Sequence, residues 1–239
     1  MSTLAEFLQP ILPGDWTLDA EDVFLFATAD GTIAWQALTV ACEDNVWHGR
    51  FAGGGLTLEL TCERDPACQA FISKAIISNR AAAPVVLTRI QPLHLHWTTA
   101  EAPVRIRRIG GGLNEHHFPP ATFREETVRG DDAAMVWMEN GYDGRSSNFH
   151  IPVMTVTCGE SGVSGGLEWS GLWWMKGDGP HAGTCHLSCF IPISNLTIEP
   201  DDSLRLPAAH YVFSRGGMDG AGNAFRRYVR ERILPPAPQ

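Results

Sequence analysis

The chain has 239 residues, of which 44% are hydrophobic and 19% charged, the balance of a packed globular protein and not of a disordered one. Eighteen Lys and Arg against 27 Asp and Glu give a formal charge of −9, an acidic surface that repels phosphate backbones and anionic lipid headgroups, so nucleic acid and membranes are not expected partners. No stretch of about 18 apolar residues occurs and the N-terminus lacks a basic start followed by an apolar run, which predicts a cytoplasmic chain.

After a short N-terminal segment ending near Pro13-Gly14, period-two patterns begin. Leu56, Leu58, Leu60 and Cys62 alternate with Thr57, Glu59 and Thr61, as a half-buried strand requires. Further strands are predicted over Phe71–Ile77, Val85–Trp97, Val104–Ile109, Ala134–Met138, Val153–Cys158 and His210–Phe213, all rich in β-branched or aromatic residues. Pro92 cannot donate to a ladder and predicts an edge or a bulge. Turn signals separate these runs at Gly53-Gly54-Gly55, Asn79-Arg80, Gly110-Gly111-Gly112, Asn140-Gly141, Gly165-Gly166 and Gly177-Asp178-Gly179-Pro180, and Gly159-Glu-Ser-Gly162 reads as a hairpin turn. From Ala221 to Leu234 the period becomes helical, with Asp219 as cap and Pro235-Pro236 as stop. The fold class expected is all-β: a large two-sheet antiparallel β-sandwich over residues 1–218, then one C-terminal α-helix and a Pro-rich linker over 219–239.

Catalytic and metal chemistry find little support in the residue pattern. Glu115, Glu125, Glu126, Asp131, Asp132, Asp143 and Glu168 sit among polar or turn residues, and no pair stands out by spacing as an acid and base. Along a strand, Cys185 and Cys189 share one face while His186 points to the other, which is poor geometry for a metal. His94 and His96 share a face but lack a third ligand nearby, as do the imidazoles of Asn114-Glu-His116-His117. No phosphate-cradling Gly-rich loop and no nucleophile elbow occurs. No catalytic residue, metal ligand or cofactor is therefore assigned, and the six cysteines, none in a CxxC pair, are expected to be free thiols. The arginines at 105, 107 and 108, and at 226, 227, 230 and 232, read as a strand face and a helix face.

Two segments carry groups suited to sugars. Asn140-Gly-Tyr142-Asp-Gly-Arg145-Ser-Ser-Asn148 offers an aromatic face, a guanidinium and several amides and hydroxyls; the plainer reading is a long hairpin loop whose polar side chains bond their own backbone. In Leu167-Glu-Trp169-Ser-Gly-Leu-Trp173-Trp174, alternation places Trp169 in the core, while the adjacent Trp173 and Trp174 must point to opposite faces, so one of them leaves it.

In order along the chain, these segments resemble the N-terminal domain of family 36 glycoside hydrolases, the α-galactosidase and raffinose-type enzymes. Ser146-Ser147-Asn148-Phe-His-Ile-Pro152 is similar to the family's Ser-Ser-x-x-x-x-Pro stretch. Leu167-Glu168-Trp169-Ser-Gly171-Leu-Trp173 is similar to its Gly-Trp-x-Gly-x-Trp segment, with Glu168 where Gly is common, and Gly217-Met-Asp-Gly-Ala-Gly-Asn223-Ala-Phe-Arg226-Arg227 resembles the element that opens its helical link into a barrel. Ile77-Ser-Asn79 and Val86-Leu87 resemble a less specific upstream pattern.

The resemblance implies a β-supersandwich that shapes the sugar pocket of a (β/α)8 barrel supplied in cis or trans, takes part in oligomerisation, and carries neither catalytic Asp, since the family's Lys-Trp-Asp motif does not occur here. It also implies that Tyr142, and after it Trp173, contact the sugar of an α-galactoside; Arg145 and Asn148 are the candidate polar partners by residue type. The alternatives are a stand-alone carbohydrate-binding module and a purely structural or oligomerisation domain.

Overall fold

A computed structural model of the chain describes residues 3–13, 16–18, 23–99, 104–110, 123–128, 135–139, 150–181 and 184–235. Helix α1 (Leu4–Leu8) opens the described chain; the Thr3 side chain accepts from the Glu6 amide and Glu6 returns the bond to the Thr3 amide, and the helix then tightens into a 3₁₀ turn at Gln9–Ile11. Strands follow as β1 (Thr17–Leu18), β2 (Leu25–Thr28), β3 (Gly31–Thr32), β4 (Gln36–Glu43), β5 (Val46–Gly53), β6 (Leu56–Asp65), β7 (Ala70–Asn79), β8 (Val85–Leu87) and β9 (Arg89–Thr98). The second half holds β10 (Val104–Gly110), β11 (Phe123–Val128), β12 (Met135–Glu139), β13 (His150–Cys158), β14 (Ser161–Leu167), β15 (Trp174–His181), β16 (Thr184–Ile191), β17 (Leu196–Ile198), β18 (Ser203–Arg205) and β19 (Ala209–Arg215). Helix α2 (Gly217–Tyr228) runs on into a π turn at Val229–Ile233.

Two antiparallel sheets face each other, bearing out the all-β sandwich with a C-terminal helix. The ten-stranded sheet has the order β11-β10-β13-β14-β19-β7-β6-β5-β4, with β18 on β7, and the seven-stranded sheet the order β12-β15-β16-β9-β2-β3, with β1 on β9. Their inner faces supply one continuous core: Leu56, Leu58, Leu60 and Cys62 from β6 meet Leu93, Leu95 and Trp97 from β9 and Cys185, Leu187 and Cys189 from β16. Trp16 stacks on Trp97 with centroids 4.8 Å apart, and Phe71 on Tyr211 at 4.2 Å. Helix α2 lies across the outer face of the ten-stranded sheet, over β13, β14 and β19, which is why every residue of β14 is buried. No helix among the described residues is long and apolar enough to cross a membrane.

The turn signals divide into two kinds. Gly54 and Gly55 both take positive φ (54° and 79°) in the two-residue β5–β6 connection, as a tight hairpin requires, and Gly159 at φ 56° turns β13 into β14. Asn79 is buried and organises its turn: its amide donates to the carbonyls of Ala83 and Ile198, and its Oδ1 accepts from Ala81. Gly165-Gly166 and Gly177 to Pro180, expected as turns, lie inside β14 and β15. Close packing between the layers explains it: a Cβ on Gly165 would sit 2.6 Å from Leu187 Cδ2 and 3.2 Å from Leu93 Cδ1.

The run from Val85 to Trp97 is two strands, and Pro92 lies in a bulge of β9: between the Leu93–Cys189 and Ile90–Ile191 pairs, Gln91 and Pro92 oppose Phe190 alone. The helix starts before its predicted limit. Its cap is Gly216, held at φ 92°, and Asp219, expected to cap it, falls in the first turn, where its charge still suits the helix dipole. Pro235 follows the Leu234 cap of the π turn.

Candidate functional site

One end of the sandwich holds the second segment singled out in the sequence and the two residues that flank the first. Residues 140–149, with Tyr142, Arg145 and Asn148, lie outside the described residues, but their stems are defined. The strands that flank the segment, β12 ending at Glu139 and β13 starting at His150, belong to different sheets and so are not the paired arms of a hairpin. A hydrogen bond of 2.9 Å between His150 Nδ1 and the Glu139 carbonyl ties the stems together, and Glu139 pairs in register with Trp174.

The second segment, between β14 and β15, crosses the layers here. Because β14 ends at Leu167, Trp169 escapes the alternation that predicted it as core and is 38% exposed, with Nε1–H donating to the Leu172 carbonyl at 2.9 Å. Trp173 is fully buried and Trp174 is 37% exposed. The adjacent pair therefore divides as expected, with Trp173 facing the core; a buried indole has no face to offer a sugar, and the accessible one beside the stems of 140–149 is Trp174.

Outward from Trp174, the face of the seven-stranded sheet carries polar groups on three neighbouring strands. Alternation puts Lys176 and Asp178 of β15, His186 and Ser188 of β16, and His94 and His96 of β9 on this side, while Met175, Cys185, Leu187, Cys189, Leu93 and Leu95 point into the core. Register alone stacks the imidazoles: His186 lies opposite His96, with ring centroids 3.9 Å apart, and His94 is 4.3 Å from His96. Asp178, only 4% exposed, is bridged by Lys176 and by His186 Nδ1, the latter at 2.8 Å.

Burial is the largest single influence on Asp178 and would raise it, but His186 and Lys176 close beside it together hold its carboxyl below the usual range. His94 is pushed down to about 3, first by burial and then by His96, His186, Lys176 and Arg89, so it is neutral at physiological pH. Its Nδ1 has no partner among the described residues. His96 and His186 stack at 18° while His94 tilts by 56° to His96, and no group of His, Cys, Asp or Glu among the described residues is arranged to hold a metal. Two hollows of about 590 and 490 Å³ lie elsewhere; neither is lined by a residue of this face.

Sequence reading missed one constellation. Glu168 Oε1 lies 2.8 Å from His210 Nε2, and His210 Nδ1 lies 2.7 Å from Tyr228 Oη. The neutral arrangement that satisfies all three has Nε2–H donating to the carboxylate and the tyrosine hydroxyl donating to Nδ1. Burial lowers the His210 pKa, with Glu168 opposing. This chain of contacts ties α2 to the sheet, so Glu168, where Gly is common in the family pattern, has a structural partner of its own. Its signal in the sequence was only a single acid, at 168, in the segment that leads into the Trp173–Trp174 pair.

No family model matches the sequence, and no curated protein matched it. Solved structures do. The chain is similar to the α-galactosidase of Lactobacillus brevis (16% identity, TM-score 0.65, covering 87% of this chain and 31% of that one). It is similar to the GH36 α-galactosidase AgaA of Geobacillus stearothermophilus (14%, TM-score 0.69, 90% and 33%). The galactosidase domain of the α-galactosidase–sucrose kinase AgaSK matches at 9% identity, TM-score 0.67, over 87% of this chain and 32% of that one. The chain thus spans about a third of the length of these proteins and has the fold of that third, in agreement with the N-terminal β-sandwich its motifs resemble.

Proposed function

We propose that this chain is the noncatalytic N-terminal module of an α-galactosidase-like glycoside hydrolase, cytoplasmic, helping to shape the sugar pocket and the oligomer while a (β/α)8 barrel in cis or trans supplies the carboxylates. The observation that carries the reading is the coverage: 87–90% of this chain is matched by about a third of each enzyme, at TM-scores of 0.65–0.69. The end of the C-terminal helical segment supports it, because Ile233 and Leu234 are 43% and 57% exposed, an apolar end suited to burial against a further domain. In this reading the sandwich occupies 1–218, and 219–239 is the link.

The test is turnover of p-nitrophenyl α-galactoside. The purified chain alone is expected to give none, and a fusion that puts it in place of the matched third of the Geobacillus enzyme is expected to be soluble and active. Turnover by the chain alone would refute the noncatalytic assignment.

A second reading, a carbohydrate-binding face, is favoured by the exposure of Trp174 beside the stems of the segment that holds Tyr142, Arg145 and Asn148. Aromatic ring pairs contribute about 0.5–1.5 kcal/mol beyond their area, and with a comparable contribution from an indole against a sugar face, Trp174→Ala is expected to weaken galactoside binding roughly 3- to 10-fold while leaving the melting temperature nearly unchanged. Trp173→Ala should instead cost about 3–5 kcal/mol of stability. Calorimetric titration of both variants and the parent with galactosides separates the two effects; a flat parent titration removes this reading.

A further inference from the structure

Two of the six cysteines, far apart in sequence, meet in the middle of the sandwich. Cys158 ends β13 in the ten-stranded sheet and Cys185 lies near the start of β16 in the seven-stranded sheet; both are fully buried, and their sulfurs are 3.0 Å apart. A disulfide bond is about 2.05 Å long, so the sulfurs need only approach by roughly 1 Å to bond. No local signal marks the pair: 27 positions separate the two, and neither belongs to a CxxC.

The geometry points to an inter-sheet disulfide between Cys158 and Cys185 as an oxidative modification site of this chain. The bond would be the one side-chain cross-link between the layers among the described residues, and it would close a loop containing β14, β15 and the connection that bears Trp169 and Trp173. Oxidation removes one hydrogen from each thiol and joins the two sulfurs. The oxidant is a small-molecule disulfide such as oxidised glutathione, whose own S–S bond accepts the two electrons and two protons and yields two thiols. One protein thiolate attacks the oxidant to form a mixed disulfide, and the second displaces the glutathione thiol. Contact with Cys158, followed by burial, raises the Cys185 thiol, so in the folded chain Cys185 holds its proton and, shut away from solvent, exchanges slowly; the bond forms while the chain folds and both sulfurs are open to solvent.

The full chain, reduced and unfolded, is refolded in an excess of oxidised over reduced glutathione, acid-quenched, unfolded again and labelled with a maleimide. Four of the six cysteines are expected to label, the intact mass to fall by two hydrogens, and a non-reducing peptide map to link the Cys158 and Cys185 peptides. Cys189→Ser, which removes another buried cysteine of β16, should leave that link in place. Six labelled cysteines, or a link joining any other pair, would overturn the proposal.

Discussion

Acidification below about pH 6.5 should destabilise the chain steeply, through His94 above all. The ring sits near 3 in the folded state against an ordinary 6.5, because burial and the neighbouring His96, His186, Lys176 and Arg89 all oppose its protonation. The unfolded chain therefore binds one more proton than the folded chain between those two values. The stabilising effect is complete above about 6.5 and is lost as pH falls, at roughly 1.4 kcal/mol per unit, for a total on the order of 4–5 kcal/mol. About 3 kcal/mol of that loss falls above the ordinary carboxylate range, a large fraction of a typical stability of about 5–15 kcal/mol, so the domain weakens markedly before its carboxylates titrate.

Asp178 acts in a separate window: its pKa is depressed, so its contribution is present above the ordinary carboxylate pKa and is lost only at lower pH. Urea unfolding at a series of pH values from about 7 to 4 measures the slope. His94→Gln and His94→Leu should each flatten it by close to one proton. Parallel profiles for parent and variants would show that the stacked column does not set the acid limit.

Much of the fold was legible because sandwich strands obey a period of two. Leu56 to Cys62, the 159–162 hairpin and Pro92 in its bulge all follow from alternation, turn chemistry and a missing amide. Glycine was less informative, since a glycine that turns the chain and one that lets two sheets approach look alike in sequence. Gly54 and Gly165 are the two cases, separable only by a positive φ or a facing Leu187. The site was half legible. Adjacent Trp173 and Trp174 had to part, but which faced outward depended on where β14 ended, and that end also released Trp169. The imidazole column needs the register of β16 on β9, and the Cys158–Cys185 contact needs the two sheets to be laid together; neither is local in sequence.

The glycines of the helix make the strongest claim about why the Gly217–Arg227 motif has its form. The chain leaves β19 through Gly216 and Gly217, both at positive φ (92° and 60°), and turns at once into α2. A Cβ on Gly220 would lie 2.0 Å from the carbonyl oxygen of Arg215, a backbone atom that cannot swing aside. Gly220→Ala must therefore shift either the end of β19 or the first turn of α2, at an expected cost of about 2–3 kcal/mol. Gly222, in the same helix, faces open space except for an Arg107 nitrogen 3.8 Å off, so Gly222→Ala should be stabilising by up to about 1 kcal/mol through helix propensity. The two variants have the same chemistry and opposite expected signs, which excludes a general effect of alanine. Thermal or urea unfolding of both decides the matter: equal shifts would mean that the tight turn is relaxed, and that the glycine at 220 has no steric role. If the signs divide as expected, the turn fixes where α2 sets out across β14, and through Phe225, Tyr228 and the His210–Glu168 contacts it fixes where the exposed Ile233 and Leu234 are delivered.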